Sequence, residues 1–125
     1  MKKFKKIYVA GPYTATDEIG THKNVMSANA AGVELICNGW NPVIPHKNFA
    51  FMDNYIESRH ELTNKLFYDL TLDLLATCDA IYLMENWIES TGAKNAYDYA
   101  IANGIPVFYY YNGFPAPTDL KNRRL

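Results

Sequence analysis

The feature that most constrains this chain is the alternation of short apolar segments with longer stretches of helical periodicity. The apolar segments occupy residues 7–10, 42–45, 80–84 and 105–110. The first is stopped at once by Gly11, as is typical of a short strand buried on both faces of a sheet. Because strands that alternate with helices pair in parallel through right-handed crossovers, the sequence predicts an α/β fold with a parallel sheet.

Three helical stretches separate the strands. Residues 22–38 place an apolar cluster opposite a narrow polar stripe, and Gly39 follows as a left-handed terminator. The other two stretches cover about residues 56–77 and 90–103. Prolines favour a sheet edge for the second strand, and we expect the tail after residue 110 to be loosely ordered.

Composition narrows the functional classes. Hydrophobic residues make up 49% of the chain and charged residues 20%, as in globular proteins. The net charge is −1, from 12 basic and 13 acidic residues, so nothing favours a nucleic-acid polymer or an anionic membrane. No run approaches the ~18 apolar residues of a membrane span, and no secretory leader is evident. We therefore expect one cytoplasmic domain, residues 1–125, with Cys37 and Cys78 as thiols rather than a buried disulfide.

Candidate binding residues lie at one edge of the predicted sheet. In open parallel sheets, ligands bind beyond the carboxyl ends of the strands, which selects residues 11–14, 45–51 and 85–96. Gly11 allows a ligand to approach the backbone and Tyr13 can stack on it, although both also fit an ordinary tight turn. A further apolar group either lines a flat pocket for a base or forms a lid that fills the core, and it consists of Phe49, Phe51 and Met52.

Ser90 opens the last predicted helix. Its hydroxyl can cap that helix, and the free first-turn amides around Gly92 and Ala93 can hold an anion, with Lys94 close in sequence. A phosphate or a sugar 5′-hydroxyl fits such a site, whereas simple capping is the alternative interpretation.

His46 and Asp73 are the remaining polar candidates. His46 follows the second strand at the same edge, and no Cys or His at ligand spacing indicates a metal or another cofactor. A helical wheel places Asp73 between Leu62, Leu66 and Leu70, where a carboxylate must be paired, protonated or functional. Alternatively, the helix breaks and an aspartate caps a second, shorter helix.

Taken in order, these segments resemble one family over about residues 6–109. The motifs that carry the resemblance are residues 7–13 (Ile-Tyr-Val-Ala-Gly-Pro-Tyr), 41–46 (Asn-Pro-Val-Ile-Pro-His), 74–84, Trp87, 90–93 (Ser-Thr-Gly-Ala) and 104–107 (Gly-Ile-Pro-Val). The chain resembles the small phage and bacterial branch of the nucleoside 2-deoxyribosyltransferase-like superfamily, related to deoxynucleoside 5′-monophosphate N-glycosidases. The resemblance implies a flavodoxin-like, Rossmann-like three-layer sandwich with four or five parallel strands in the order 2-1-3-4.

The resemblance also implies retaining cleavage of an N-glycosidic bond. A glutamate attacks C1′ of a deoxyribose, the base leaves, and the glycosyl-enzyme passes to water or to a second base. In the family this glutamate lies six residues after the serine of the Ser-x-Gly motif, and counting from Ser90 reaches Ala96. Ala96 thus occupies the expected catalytic position, and the chain is either an inactivated version made to trap a substrate or a natural relative that binds without cleaving. The aspartate that orients substrate in several relatives falls, without gaps, on Thr71 rather than Asp73.

We therefore expect cleavage of deoxyribonucleoside 5′-monophosphates, or deoxyribosyl transfer between bases, with Ala96 removing the nucleophile from this chain. The alternative is a nucleotide-binding or sensing module without chemistry. Aromatic residues such as those at 109–111 are hard to bury in so small a domain, which predicts a homodimer or larger assembly. Position 96 is expected to border a pocket shared with the substrate-binding residues Gly11, Tyr13, His46, Ser90, Gly92 and Ala93.

Overall fold

A four-stranded parallel sheet forms the centre of the molecule. In the computed structural model, which describes residues 4–49, 52–55 and 58–122, the strand order is β2-β1-β3-β4. The strands are β1 (Lys6–Ala10), β2 (Asn41–Val43), β3 (Ala80–Leu83) and β4 (Val107–Tyr109). The predicted strand order is confirmed, and β2, with its proline, occupies an edge.

The described residues between these strands form the α-helices α1 (Glu18–Cys37), α2 (Pro45–Asn48), α3 (Asn64–Ala76) and α4 (Thr91–Ala102). The α3 helix begins later than the sequence predicted because Thr63 caps it, accepting a bond from the Leu66 amide at 3.0 Å. Pro45 occupies the first turn of α2, so the segment after β2 is helical rather than a loop. Residues 56–57, where the longer helix was predicted to start, lie outside the described residues.

Alternating side chains of the strands build a core on each face of the sheet. On one face, Ile7 and Val9 of β1 pack with Ala28 and Leu35 of α1. The opposite face buries a cluster shared with α3 and α4, namely Tyr8, Ala10, Leu75, Ile81, Leu83, Ala93, Ala96 and Ala100. Helices therefore cover both faces, which confirms the predicted three-layer α/β sandwich.

The segment after β4 folds back onto the first core, so the prediction of a loosely ordered tail is wrong for residues 110–122, while residues 123–125 lie outside the described residues. The indole Nε1 of Trp40 donates to the Pro115 carbonyl at 2.8 Å. Asn38, which follows α1, donates through its side-chain amide to the carbonyls of Phe114 and Pro115 at 3.0 and 3.2 Å. The Phe114 ring also stacks on Tyr82 of β3. These contacts hold residues 114–115 against the residues that follow α1 and against β3.

Candidate functional site

A cavity of about 340 Å³ lies at the carboxyl ends of the strands. Its volume falls at the lower end of the range for small-molecule sites. The segments after β1 and β2, one face of α3 and the start of α4 line it, with the residues Tyr8, Ala10, Gly11, Pro12, Tyr13, Thr14, Pro45, His46, Phe49, Asn64, Phe67, Tyr68, Thr71, Glu89, Ser90, Thr91, Gly92 and Ala93. This is the edge that the strand pattern selected for ligand binding.

The structure brings the predicted substrate-binding residues together. All of them line this one cavity: Gly11, Tyr13, His46, Ser90, Gly92 and Ala93. Residues from three separate parts of the chain therefore meet around a common volume. Gly11 is required here for packing, since a Cβ at this position would lie 2.7 Å from Met84 Sδ and 2.9 Å from Met84 Cβ.

Ala96 does not border the cavity, which corrects the expectation for its side chain. It has no exposed surface and belongs to the apolar cluster that also contains Tyr8, Ala10 and Ala93. Those three residues also line the cavity and are called its floor below, so position 96 lies in the core cluster behind that floor. One helical turn separates it from Ala93, the nearest lining residue of α4.

Asp73 is exposed and lies outside the cavity lining, so its predicted place in a buried stripe is wrong. The wheel correctly grouped it with Leu66 and Leu70, but those leucines are themselves about two-fifths exposed at 37% and 40%. The stripe therefore faces outward. An exposed carboxylate needs no partner, and the physical argument for a catalytic Asp73 disappears.

Thr71, the position reached by the gapless count, lines the cavity instead. Its hydroxyl donates to the Tyr68 carbonyl at 2.8 Å. Burial raises the pKa of the Tyr8 hydroxyl, and a hydrogen bond with the Thr71 side chain partly opposes that shift. The lining of the cavity thus carries two hydroxyl groups, those of Tyr8 and Thr71.

His46 is buried at the edge of the cavity with 4% of its surface exposed. Its Nε2 lies 2.8 Å from the Pro12 carbonyl, which can only accept, so Nε2 carries the proton. Nδ1 is buried without a hydrogen-bond partner among the described residues. Burial lowers the pKa of His46, and the backbone hydrogen bonds partly oppose that shift. The neutral ring holds the segment after β1 through its contacts with the Pro12 carbonyl and the Tyr13 ring.

Ser90 caps α4, and its Oγ accepts from the Ala93 amide at 3.1 Å. The first intrahelical bond runs from the Lys94 amide to the Ser90 carbonyl, which leaves the amides of Thr91 and Gly92 without an intrahelical acceptor. Both residues line the cavity, and their amides are available to a ligand oxygen. Lys94 is exposed and is not part of the lining.

Aromatic side chains form the apolar wall of the cavity. Phe49 meets Phe67 edge to face, with 5.8 Å between the ring centroids, and Tyr68 lies beside them in the lining. Of the predicted apolar group, Met52 is exposed and outside the lining, while Phe51 lies outside the described residues.

Three α3 residues of the lining, Asn64, Phe67 and Tyr68, were not predicted from the sequence, and Glu89 lay within the selected range 85–96 without an assigned role. The signal was present in α3, because Asn64, Phe67, Tyr68 and Thr71 recur at helical spacing on one face. Within the described part of the chain, no group of three or more His, Cys, Asp or Glu side chains could hold a metal. Nor is any helix there long and apolar enough to span a membrane.

Comparisons with known proteins agree with this architecture. The family model described as "Domain of unknown function (DUF4406)" matches residues 5–109. Among solved structures, the chain is similar to a "2-desoxiribosyltransferase from Leishmania mexicana", with a TM-score of 0.56 and 20% sequence identity over 85% of this chain. The similarity covers 63% of that protein, so this chain spans less than two thirds of its length. The search of curated proteins gave no match.

Proposed function

Because this chain belongs to the DUF4406 family and has a nucleoside 2-deoxyribosyltransferase-like fold, we propose that its cavity binds a deoxyribonucleoside or its 5′-monophosphate. In this proposal the scaffold belongs to enzymes that cleave or exchange N-glycosidic bonds. The chain itself holds its ligand intact, because Ala96 stands where the nucleophile is expected. It thus acts as an inactivated form of such an enzyme.

The placement of Ala96 carries this proposal. Position 96 lies beneath a floor formed by Tyr8, Ala10 and Ala93, and its methyl group fills space within the core. Of the described residues that line the cavity, Glu89 is the only one with a carboxylate, and it is exposed. A retaining cleavage needs a carboxylate ~3–3.5 Å from C1′. The floor of the cavity supplies none.

A glutamate at position 96 would supply this missing group. The glutamate side chain is two carbons longer than that of alanine, and Ala93, which belongs to the floor, lies one helical turn away. In the first step a carboxylate oxygen bonds to C1′, the C1′–N bond breaks, and the base leaves with the bonding electrons and takes up a proton. Water or a second base then displaces the carboxylate from C1′.

The aromatic wall and the start of α4 suit the two ends of such a ligand. A base stacks favourably against Phe49, Phe67 or Tyr68, and the sugar 5′ substituent fits the free amides of Thr91 and Gly92. The sequence favoured the monophosphate because residues 90–92 together with Lys94 suit a phosphate better than a bare hydroxyl. With Lys94 outside the lining, that preference loses its cationic partner.

We also propose that the chain assembles as a homodimer or larger. The exposed faces of two helices carry large apolar side chains that a monomer leaves in water, and these are Ile19, Met26, Val33 and Ile36 on α1 and Leu66 and Leu70 on α3. Light scattering at micromolar concentration tests this, and a monomeric mass would contradict it.

The decisive experiment compares the unmodified chain with Ala96→Glu and with Ala96→Gln, which is almost the same size but cannot attack C1′. Calorimetry measures binding of deoxyribonucleosides and their 5′-monophosphates, and chromatography measures release of the free base. We expect the unmodified chain to bind without releasing base, and Ala96→Glu to release base faster than Ala96→Gln by several orders of magnitude.

Three results would separate the alternatives. If Ala96→Glu folds, as judged by circular dichroism, but releases no more base than Ala96→Gln, the chain is a binding module rather than an inactivated enzyme. If the unmodified chain releases base as fast as Ala96→Glu, the nucleophile lies elsewhere, and Glu89→Gln identifies whether it is the rim carboxylate. If no nucleoside or nucleotide binds at millimolar concentration, the proposed function is wrong.

A further inference from the structure

The charge distribution around the cavity is unusual for a phosphate site. Among the lining residues that the structure describes, Glu89 is the only one with a formal charge, and no lysine or arginine is among them. The base among the described lining residues that could gain a positive charge is His46, and burial lowers its pKa. At neutral pH the lining therefore carries one negative charge and no compensating positive one.

Glu89 also directly precedes the turn whose amides would receive a phosphate in the proposed function. It ends the short 3-10 helix Trp87–Glu89 and directly precedes Ser90, the cap of α4. A carboxylate beside the first turn of a helix interacts favourably with the positive end of the helix dipole. It therefore competes with any other anion for the free amides of Thr91 and Gly92.

The lysines that adjoin lining residues in the sequence are themselves outside the lining. Lys47 and Lys94 are exposed, and Lys65 is exposed and paired with Asp69. The free amides can each donate one neutral hydrogen bond, which satisfies a sugar hydroxyl. A phosphate dianion brings about two negative charges to the same place and needs cationic partners to offset its loss of water.

From this arrangement we propose that Glu89 is a specificity-determining residue, which makes the cavity select uncharged deoxyribonucleosides over their 5′-monophosphates. The inference rests on the proposed function for the class of ligand. It goes beyond that function by choosing the nucleoside over its 5′-monophosphate. Glu89 is exposed, so solvent screens its charge, and we expect a discrimination on the order of tenfold rather than a complete exclusion.

The test measures dissociation constants for a deoxyribonucleoside and its 5′-monophosphate by calorimetry at low ionic strength. The variants are Glu89→Gln, which removes the charge at nearly constant size, and Glu89→Lys, which reverses it. Glu85→Gln is the matched control, because Glu85 is exposed and outside the lining. Both ligands are also titrated in high salt, which screens interactions between exposed charges.

We expect the unmodified chain to bind the nucleoside about tenfold more tightly than the monophosphate, with a smaller difference in high salt. Glu89→Gln should strengthen monophosphate binding by more than it changes nucleoside binding, and Glu89→Lys should reverse the preference. Glu85→Gln should change neither constant.

Tighter binding of the monophosphate by the unmodified chain would overturn the inference while leaving the proposed function standing. The same holds if Glu89→Gln changes the two constants equally, since Glu89 would then act on the sugar or base rather than on the phosphate. Failure of both ligands to bind would overturn the proposed function and the inference together.

Discussion

Replacing Gly11 with alanine tests how tightly the segments that follow β1 and β3 pack against each other beside the cavity. Gly11 is buried, and its φ is not in the left-handed region, so the backbone itself accepts an alanine. The obstacle is Met84, whose Sδ and Cβ would lie 2.7 and 2.9 Å from the new methyl group. The Sδ can move by rotation of the side chain, but the Cβ is fixed to the backbone. The strands or the following segments must therefore shift.

The expected cost follows from two opposing terms. Overpacking of this kind destabilises proteins by about 1–3 kcal/mol. Alanine also restricts the unfolded chain, which returns roughly 0.4–1 kcal/mol. We therefore expect Gly11→Ala to lower the free energy of unfolding by about 1–2 kcal/mol, which in a domain of this size lowers Tm by about 4 °C per kcal/mol.

Gly92→Ala provides the matched control for this measurement. The nearest atom to a Cβ at position 92 is Tyr68 Cε1 at 3.5 Å, an ordinary van der Waals distance. Because position 92 lies in a helix, alanine there should be neutral or stabilise the fold by up to about 1 kcal/mol. Urea denaturation of both variants measures the difference, with unchanged m values indicating an intact folded state. If Gly11→Ala costs no more than Gly92→Ala, the close packing at Met84 is refuted.

Two further predictions concern other parts of the fold. Because burial lowers the pKa of His46, the unfolded chain binds that proton more readily, so stability should be complete above about pH 6.5 and decline below it. Urea midpoints between pH 7.5 and 5.5 should show this decline in the unmodified chain and less of it in His46→Gln, and equal slopes would contradict it. Trp40→Phe removes the donor to the Pro115 carbonyl and should cost about 1 kcal/mol. Hydrogen exchange should then accelerate in residues 110–122, and unchanged exchange there would show that the indole bond does not hold the tail.

The sheet could be predicted from the sequence because its signals are local. Each strand is a short apolar segment whose boundary is marked by a polar residue, a glycine or a proline. The parallel arrangement of the strands follows from the helices between them. The edge at which ligands bind follows from the same order. The start of α3 was harder, because Leu62 continues the spacing of Leu66 and Leu70 across Thr63, and the cap at Thr63 marks the boundary.

The direction in which a helix face points could not be predicted. A wheel showed that Asp73 shares a stripe with leucines, but not that the stripe faces outward. Counting from Ser90 likewise identified position 96, but not that the alanine lies beneath the cavity floor instead of in its wall. The tail was missed because its anchor, the bond between Trp40 and Pro115, joins residues 75 positions apart.

The pairing of β1 has a consequence for the order in which this chain can fold during synthesis. Strand β1 lies in the middle of the sheet, yet one of its two neighbours is β3, with Ile7 paired to Ala80 and Ala10 to Leu83. Strand β1 therefore cannot pair with β3 until residues 80–83 have been translated. During that interval Ile7 and Val9, which are fully buried in the finished protein, lack the β3 residues of their core cluster. A nascent chain stalled before β3 emerges should accordingly bind chaperones more strongly than one stalled after it.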